Sequence, residues 1–244
     1  MNRLTAQMRL DAMRVFSQGA FITCFFLLIT PVLAFVIPLV TGDISAAAGG
    51  ALSGMIGGVG FMITLYPFLF EEQGEHRRVN GLIPISRTHQ VAGRYLFVLM
   101  WLLVLLLDFT VLRVLTWCGM ALSVGVDAAG DLGALPSAVA STLAIMLLDA
   151  LIMPLLYRYA LTKVMQIIGV VIGCCIVFGA LLAWGLPKLL PESAMDALGA
   201  AMTALAGAAD SSPLGTMLVC TLVAAAAYML SFLLSRRFHL AKEL

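Results

Sequence analysis

Charge is what this 244-residue sequence has least of: 11% of its residues are Asp, Glu, Lys or Arg, against 62% hydrophobic ones. Soluble globular domains carry about 25% charge and about 45–50% apolar residues, so a soluble enzyme, a nucleic-acid binder and a disordered regulator are all excluded as classes. Histidine is nearly absent, with His76, His89 and His239 only. The five cysteines, Cys24, Cys118, Cys174, Cys175 and Cys220, lie inside apolar runs with neither metal-ligand nor disulfide spacing. No metal or other cofactor is expected. Gly-x-x-x-x-Gly-Lys-Ser/Thr is missing too, so any ATP hydrolysis must come from another polypeptide.

Long apolar runs are what the sequence does have. A hydrocarbon layer about 30 Å thick takes roughly 20 residues of helix, and six stretches qualify: Ala20 to Val40, Gly49 to Phe70, Leu96 to Leu122, Ala138 to Tyr157, Ile167 to Leu186 and Leu214 to Ser235. The first is too long for the apolar region of a signal peptide. The fold class is therefore an all-α membrane protein with six transmembrane helices. Twelve Lys and Arg fall in the termini and in the second and fourth connections, while the other three connections hold Lys188 alone. The positive-inside bias then puts both termini in the cytoplasm.

Two segments outside the spans are patterned. Residues 1–18 place Leu4, Met8, Ala12, Val15 and Phe16 on one arc, and Arg3, Gln7, Asp11, Arg14 and Gln18 on the other. That pattern suits an amphipathic helix in the cytoplasmic interface, or failing that a basic tail that sets topology. Between Pro187 and Pro213, Met195, Leu198, Met202 and Leu205 recur at helical spacing and predict a short external helix between spans five and six.

Within the membrane, Gly50, Gly54 and Gly58 repeat every fourth residue and mark a helix-packing face, within the subunit or between subunits. Pro31, Pro38, Pro67 and Pro154 are expected to kink or end their helices. Asp108 and Arg113 in the third span and Asp149 in the fourth are the charges at membrane depth. Helical rise puts the two carboxylates at similar depths. Either an Arg-to-carboxylate pair stitches spans three and four together, or these groups line a path for cargo.

The densest charge lies in the second connection. Glu71, Glu72 and Glu75 precede Arg77, Arg78, Arg87 and Arg94, Pro84 breaks the helix, and Ser86 is placed to cap a new one running through Arg94 into span three. An acidic pair closing the second span, the turn Leu82-Ile83-Pro84-Ile85-Ser86-Arg87 and the entry Arg94-Tyr95-Leu96 resemble the permease subunits of bacterial ABC-2 type transporters, and the layout of the whole chain is similar to theirs. The resemblance implies an interfacial helix over 1–18, a six-span permease domain over 19–244 and a cytoplasmic coupling loop over 71–94. It further implies pairing with a second permease copy or paralogue and with two cytosolic ATPase subunits that drive export. Glu71, Glu72, Pro84, Ser86 and Arg87 would belong to the ATPase-coupling element, with ATP bound by the partner. Arg77 and Arg78 read more simply as solvated, topology-setting charges.

Two other classes compete. Glu71-Glu72 is similar to the glutamate pair of intramembrane CAAX-type proteases, but those place an arginine four residues after the second glutamate, where this sequence has His76. They also need later histidines inside a span, and here none lies within one. A non-conducting accessory or immunity membrane protein is the second alternative. The mostly apolar spans favour amphipathic peptides, lipid-like molecules or hydrophobic drugs as cargo, and membrane lipids rather than nucleic acid as surroundings.

Overall fold

The computed structural model describes residues 3–18, 20–43, 46–72, 86–126, 134–189 and 212–241, with scattered positions between 191 and 207. Seven long helices account for nearly all of these: α1 (Arg3–Gln18), α2 (Ala20–Thr41), α3 (Ala46–Glu72), α4 (Arg87–Val124), α5 (Ala134–Arg158), α6 (Leu161–Leu189) and α7 (Pro213–Ala241). Helices α2 to α7 are each long and apolar enough to cross a membrane. The protein is thus an all-α, multi-pass membrane protein.

Local chemistry sets several boundaries. Gly42 closes α2 with a positive φ of 71° and donates its N–H to the Pro38 carbonyl at 2.9 Å, a geometry that glycine adopts without side-chain strain. Pro31, Pro38, Pro67 and Pro154 all sit inside helices that continue past them, so none of them is a terminator. Beside Pro31, the Thr30 hydroxyl bonds the Phe26 carbonyl at 2.5 Å. Helix α4 is the longest element, at 38 residues. At about 1.5 Å per residue it is roughly 57 Å long, far more than a bilayer about 30 Å thick requires.

The core lies where α2, α3, α4, α5 and α7 meet. Ile56, Ile63, Val98, Leu105 and Met153 are fully buried there. Close approach depends on two glycines outside the predicted stripe. A methyl group on Gly60 would collide with the Leu105 side chain, and one on Gly119 with the Phe35 carbonyl and the Pro38 ring. Gly50, Gly54 and Gly58 instead face open space, with nothing among the described residues within 4 Å of an added methyl. Within this chain the four-residue repeat is therefore not where helices touch.

Helix α1 differs from its expected pose. Its predicted polar arc turns inward: Gln7 and Asp11 are buried alongside Val15, while Phe16 from the apolar arc is 52% exposed. The helix packs on α4, α3 and α2. In the external connection, Ser193, Ala197, Gly199, Ala200, Thr203, Ala204 and Gly207 are helical, and Thr203 bonds the Gly199 carbonyl at 3.0 Å. The stripe of Met195, Leu198, Met202 and Leu205 lies outside the described residues.

Candidate functional site

Arg94 stands two turns into α4, almost wholly buried, where α1, α3 and α5 converge. A guanidinium so deprived of water needs compensation on every side. Glu71, at the end of α3, grips it with both oxygens, Nη2 to Oε1 at 2.5 Å and Nη1 to Oε2 at 3.4 Å. Asp11 of α1 approaches Nη2 at 3.6 Å. Two aromatic rings that meet edge-to-face, their centres 5.2 Å apart, adjoin the guanidinium, with Cζ 4.3 Å from the Phe68 ring centre and 5.8 Å from that of Tyr157. Forked pairing and cation–π contact both exploit the planar guanidinium, which a lysine could not reproduce.

Arg14 completes the cluster, reaching Asp11 at 3.4 Å and Glu71 at 3.3 Å. Gln7 donates from Nε2 to the two oxygens of Asp11, at 3.3 and 3.2 Å. Two cations and two anions from three helices thus neutralise one another. Next to them, Tyr95 shares its hydroxyl with Ser231 and Ser235, each at 2.7 Å, and Tyr228 donates to the Tyr95 carbonyl at 2.8 Å. Those bonds tie α7 to the same end of α4. The His239 ring meets Tyr157 edge-on at 5.3 Å.

The four predicted coupling residues that are described, Glu71, Glu72, Ser86 and Arg87, fall at this end, and three of them bond to other helices of the chain. Glu71 is engaged by two arginines. Glu72 accepts a hydrogen bond from the backbone N–H of Leu161 and so caps α6. Arg87 donates to the His239 carbonyl at 3.3 Å. Ser86 holds the N-cap position of α4 in extended backbone, yet its side chain makes no capping bond and pairs with the His89 ring instead. Pro84, His76, Arg77 and Arg78 lie outside the described residues.

The mid-membrane charges do not form the stitch. Among the described residues no ion pair joins Arg113 to either carboxylate, and Asp108 Oδ2 and Asp149 Oδ1 are buried without a hydrogen-bond partner. Their depths also differ. Counting from the Arg94–Tyr157 contact, Asp108 is fourteen residues along α4 and Asp149 eight along α5, or about 21 and 12 Å by helical rise. Asp149 has Thr64 of α3 as its hydrogen-bonding neighbour and is sealed inside the bundle, whereas Asp108 is half-buried.

Asp11, Arg14 and Arg94 were not marked as site residues by the sequence. Asp11 is the sole acid before Asp43, a signal that could have singled it out. Both glutamates of the CAAX-protease alternative are engaged within the chain, Glu71 by Arg94 and Glu72 by the Leu161 N–H.

Comparison with known proteins decides the family. A family model described as ABC-2 family transporter protein matches residues 14–239. The chain belongs to the ABC-2 transporter family. No curated protein and no solved structure matches it. As an ABC-2 membrane domain it is a transport component, and the family implies association with an ABC ATPase. The matched stretch takes in Arg14, Glu71, Arg94, Tyr157 and His239 of the cluster and begins just after Asp11.

Proposed function

We propose that this ABC-2 permease is one half of an exporter of the bacterial inner membrane, paired with a second permease copy or paralogue and driven by two cytosolic ATPase subunits. Both termini and the connection between α3 and α4 face the cytosol, on the strength of the Lys and Arg distribution. The observation that carries the coupling part of this reading is the buried Arg94 cluster. It binds α1, the end of α3 and the start of α4 into one stiff piece flanking residues 73–85, so that a push on that connection is passed to the spans rather than absorbed. Interfacial α1 is part of this piece.

The cargo is amphipathic or lipid-like, an antimicrobial peptide or a hydrophobic drug being the type. Supporting this, an open groove on α6 is lined by Val170, Gly173, Cys174, Val177, Phe178 and Leu181 and has almost no polar surface. Co-purification in mild detergent tests the assignment: the permease should bring down an ABC ATPase and a second permease chain. An active lone monomer would refute it. Orientation is tested separately, by impermeant thiol labelling in a background lacking the native cysteines. Asp43→Cys should react in intact cells and Arg237→Cys should not.

A further inference from the structure

Five of the six spans hold one another, and the sixth does not. In α6 only 6% of the most apolar window is buried, against 28–44% for α2 to α5 and 17% for α7. From Gly169 to Leu181 every residue is exposed. What packing α6 has is concentrated at its cytoplasmic start, where Leu161 and Val164 are buried and Ile168 touches the core. Its helix neighbours are α5 and α3. A two-residue connection, Tyr159 and Ala160, separates it from the end of α5.

At that start sits Glu72. Its carboxylate accepts the Leu161 N–H, one of the unpaired donors of a helix N-terminus, where negative charge is also favoured by the helix dipole. Glu72 is the last residue of α3 and leads directly into residues 73–85 of the coupling connection. Its neighbour Glu71 is held on the Arg94 cluster. The same short piece of backbone therefore grips the packed bundle with one side chain and the loosely held span with the next.

We propose that Glu72 is a positioning residue for transport: it is the handle by which movement of the cytoplasmic connection swings α6 against the other five spans. The proposal rests on the ATPase-driven reading above. A hydrogen bond at the base of a helix with little other packing inside its own subunit makes a pivot, because rotation there disturbs few contacts within the subunit while displacing the outer end of the helix most.

The test uses the permease–ATPase complex in lipid nanodiscs, spin-labelled at the native Cys174 on α6 and at Met100→Cys on α4, with the other native cysteines replaced. Distances are recorded without nucleotide and after trapping with ATP and vanadate. With Glu72 intact the label distance should shift on trapping. Glu72→Ala should keep the ATPase bound but lose that shift and cargo-stimulated hydrolysis together; Glu72→Gln, which retains an acceptor oxygen, should recover much of both. A normal shift in Glu72→Ala, or export without any shift when Glu72 is intact, overturns the pivot and leaves the exporter reading standing. Failure of any ATPase to bind the unaltered permease overturns the exporter reading itself, and the pivot with it.

Discussion

The two acids beside Arg94 and the two acids deep in the apolar spans, each on a helix of its own, are treated in opposite ways. Asp11 and Glu71 each meet two arginines, and Asp11 also accepts from the Gln7 amide. Asp108 and Asp149 each keep one buried oxygen without a partner. The difference is one of supply. Long arginine side chains reach inward from α1 and from the first turns of α4, whereas Arg113 sits farther along α4 and pairs with neither carboxylate among the described residues. Buried acids are thus compensated by cations at one level of the fold and left without them at the other.

The sharpest break in that contrast is Arg94→Ala. It would leave Asp11 and Glu71 sharing Arg14 alone, and loss of one partner from a buried ion pair costs about 3–5 kcal/mol. Thermal unfolding in detergent should show a large drop in midpoint or no recoverable folded protein. Asp11→Asn comes next: Arg94 keeps the forked bond to Glu71, so the loss should be about 1–2 kcal/mol. Asp149→Asn sharpens the contrast from the other side. Removing a charge that has no counter-ion should leave stability within about 1 kcal/mol of the parent or raise it. Smallest is Ser86→Ala, expected below about 0.5 kcal/mol, the low end for helix caps, because its hydroxyl satisfies no backbone donor.

Composition and local signals made the six spans and the start of α4 legible. Apolar runs of bilayer length leave few alternatives, and Pro84 followed by Ser86 marked Ser86 as the residue before a helix, which begins at Arg87. Pairings between helices were not legible, because they depend on rotation about each axis. Glu71 and Glu72 illustrate this. Consecutive residues on a helix point about 100° apart, so one reaches Arg94 and the other reaches Leu161, while the sequence offers only an acidic pair facing water. Helix α1 repeats the lesson. Its amphipathic pattern was plain, but Asp11 and Gln7 turn inward because Arg94, 83 residues further on from Asp11, waits there. The glycine repeat shows the same limit: spacing marks a smooth face, and among the described residues of this chain nothing lies within 4 Å of a methyl added to Gly50, Gly54 or Gly58, which leaves packing between subunits as its reading.

If the Arg94 cluster is a stiff transmitter and not merely a support, its precision matters more than its charge. Arg94→Lys separates the two, since lysine keeps the positive charge but gives up the forked bond to Glu71 and the planar stacking on Phe68. The decisive measurement is cargo export by the reconstituted permease–ATPase complex carrying Arg94→Lys, at matched amounts of assembled complex. Normal assembly with export reduced roughly tenfold, a barrier change of about 1.4 kcal/mol, is the result the account predicts; assembly and export both at the parent level would contradict it.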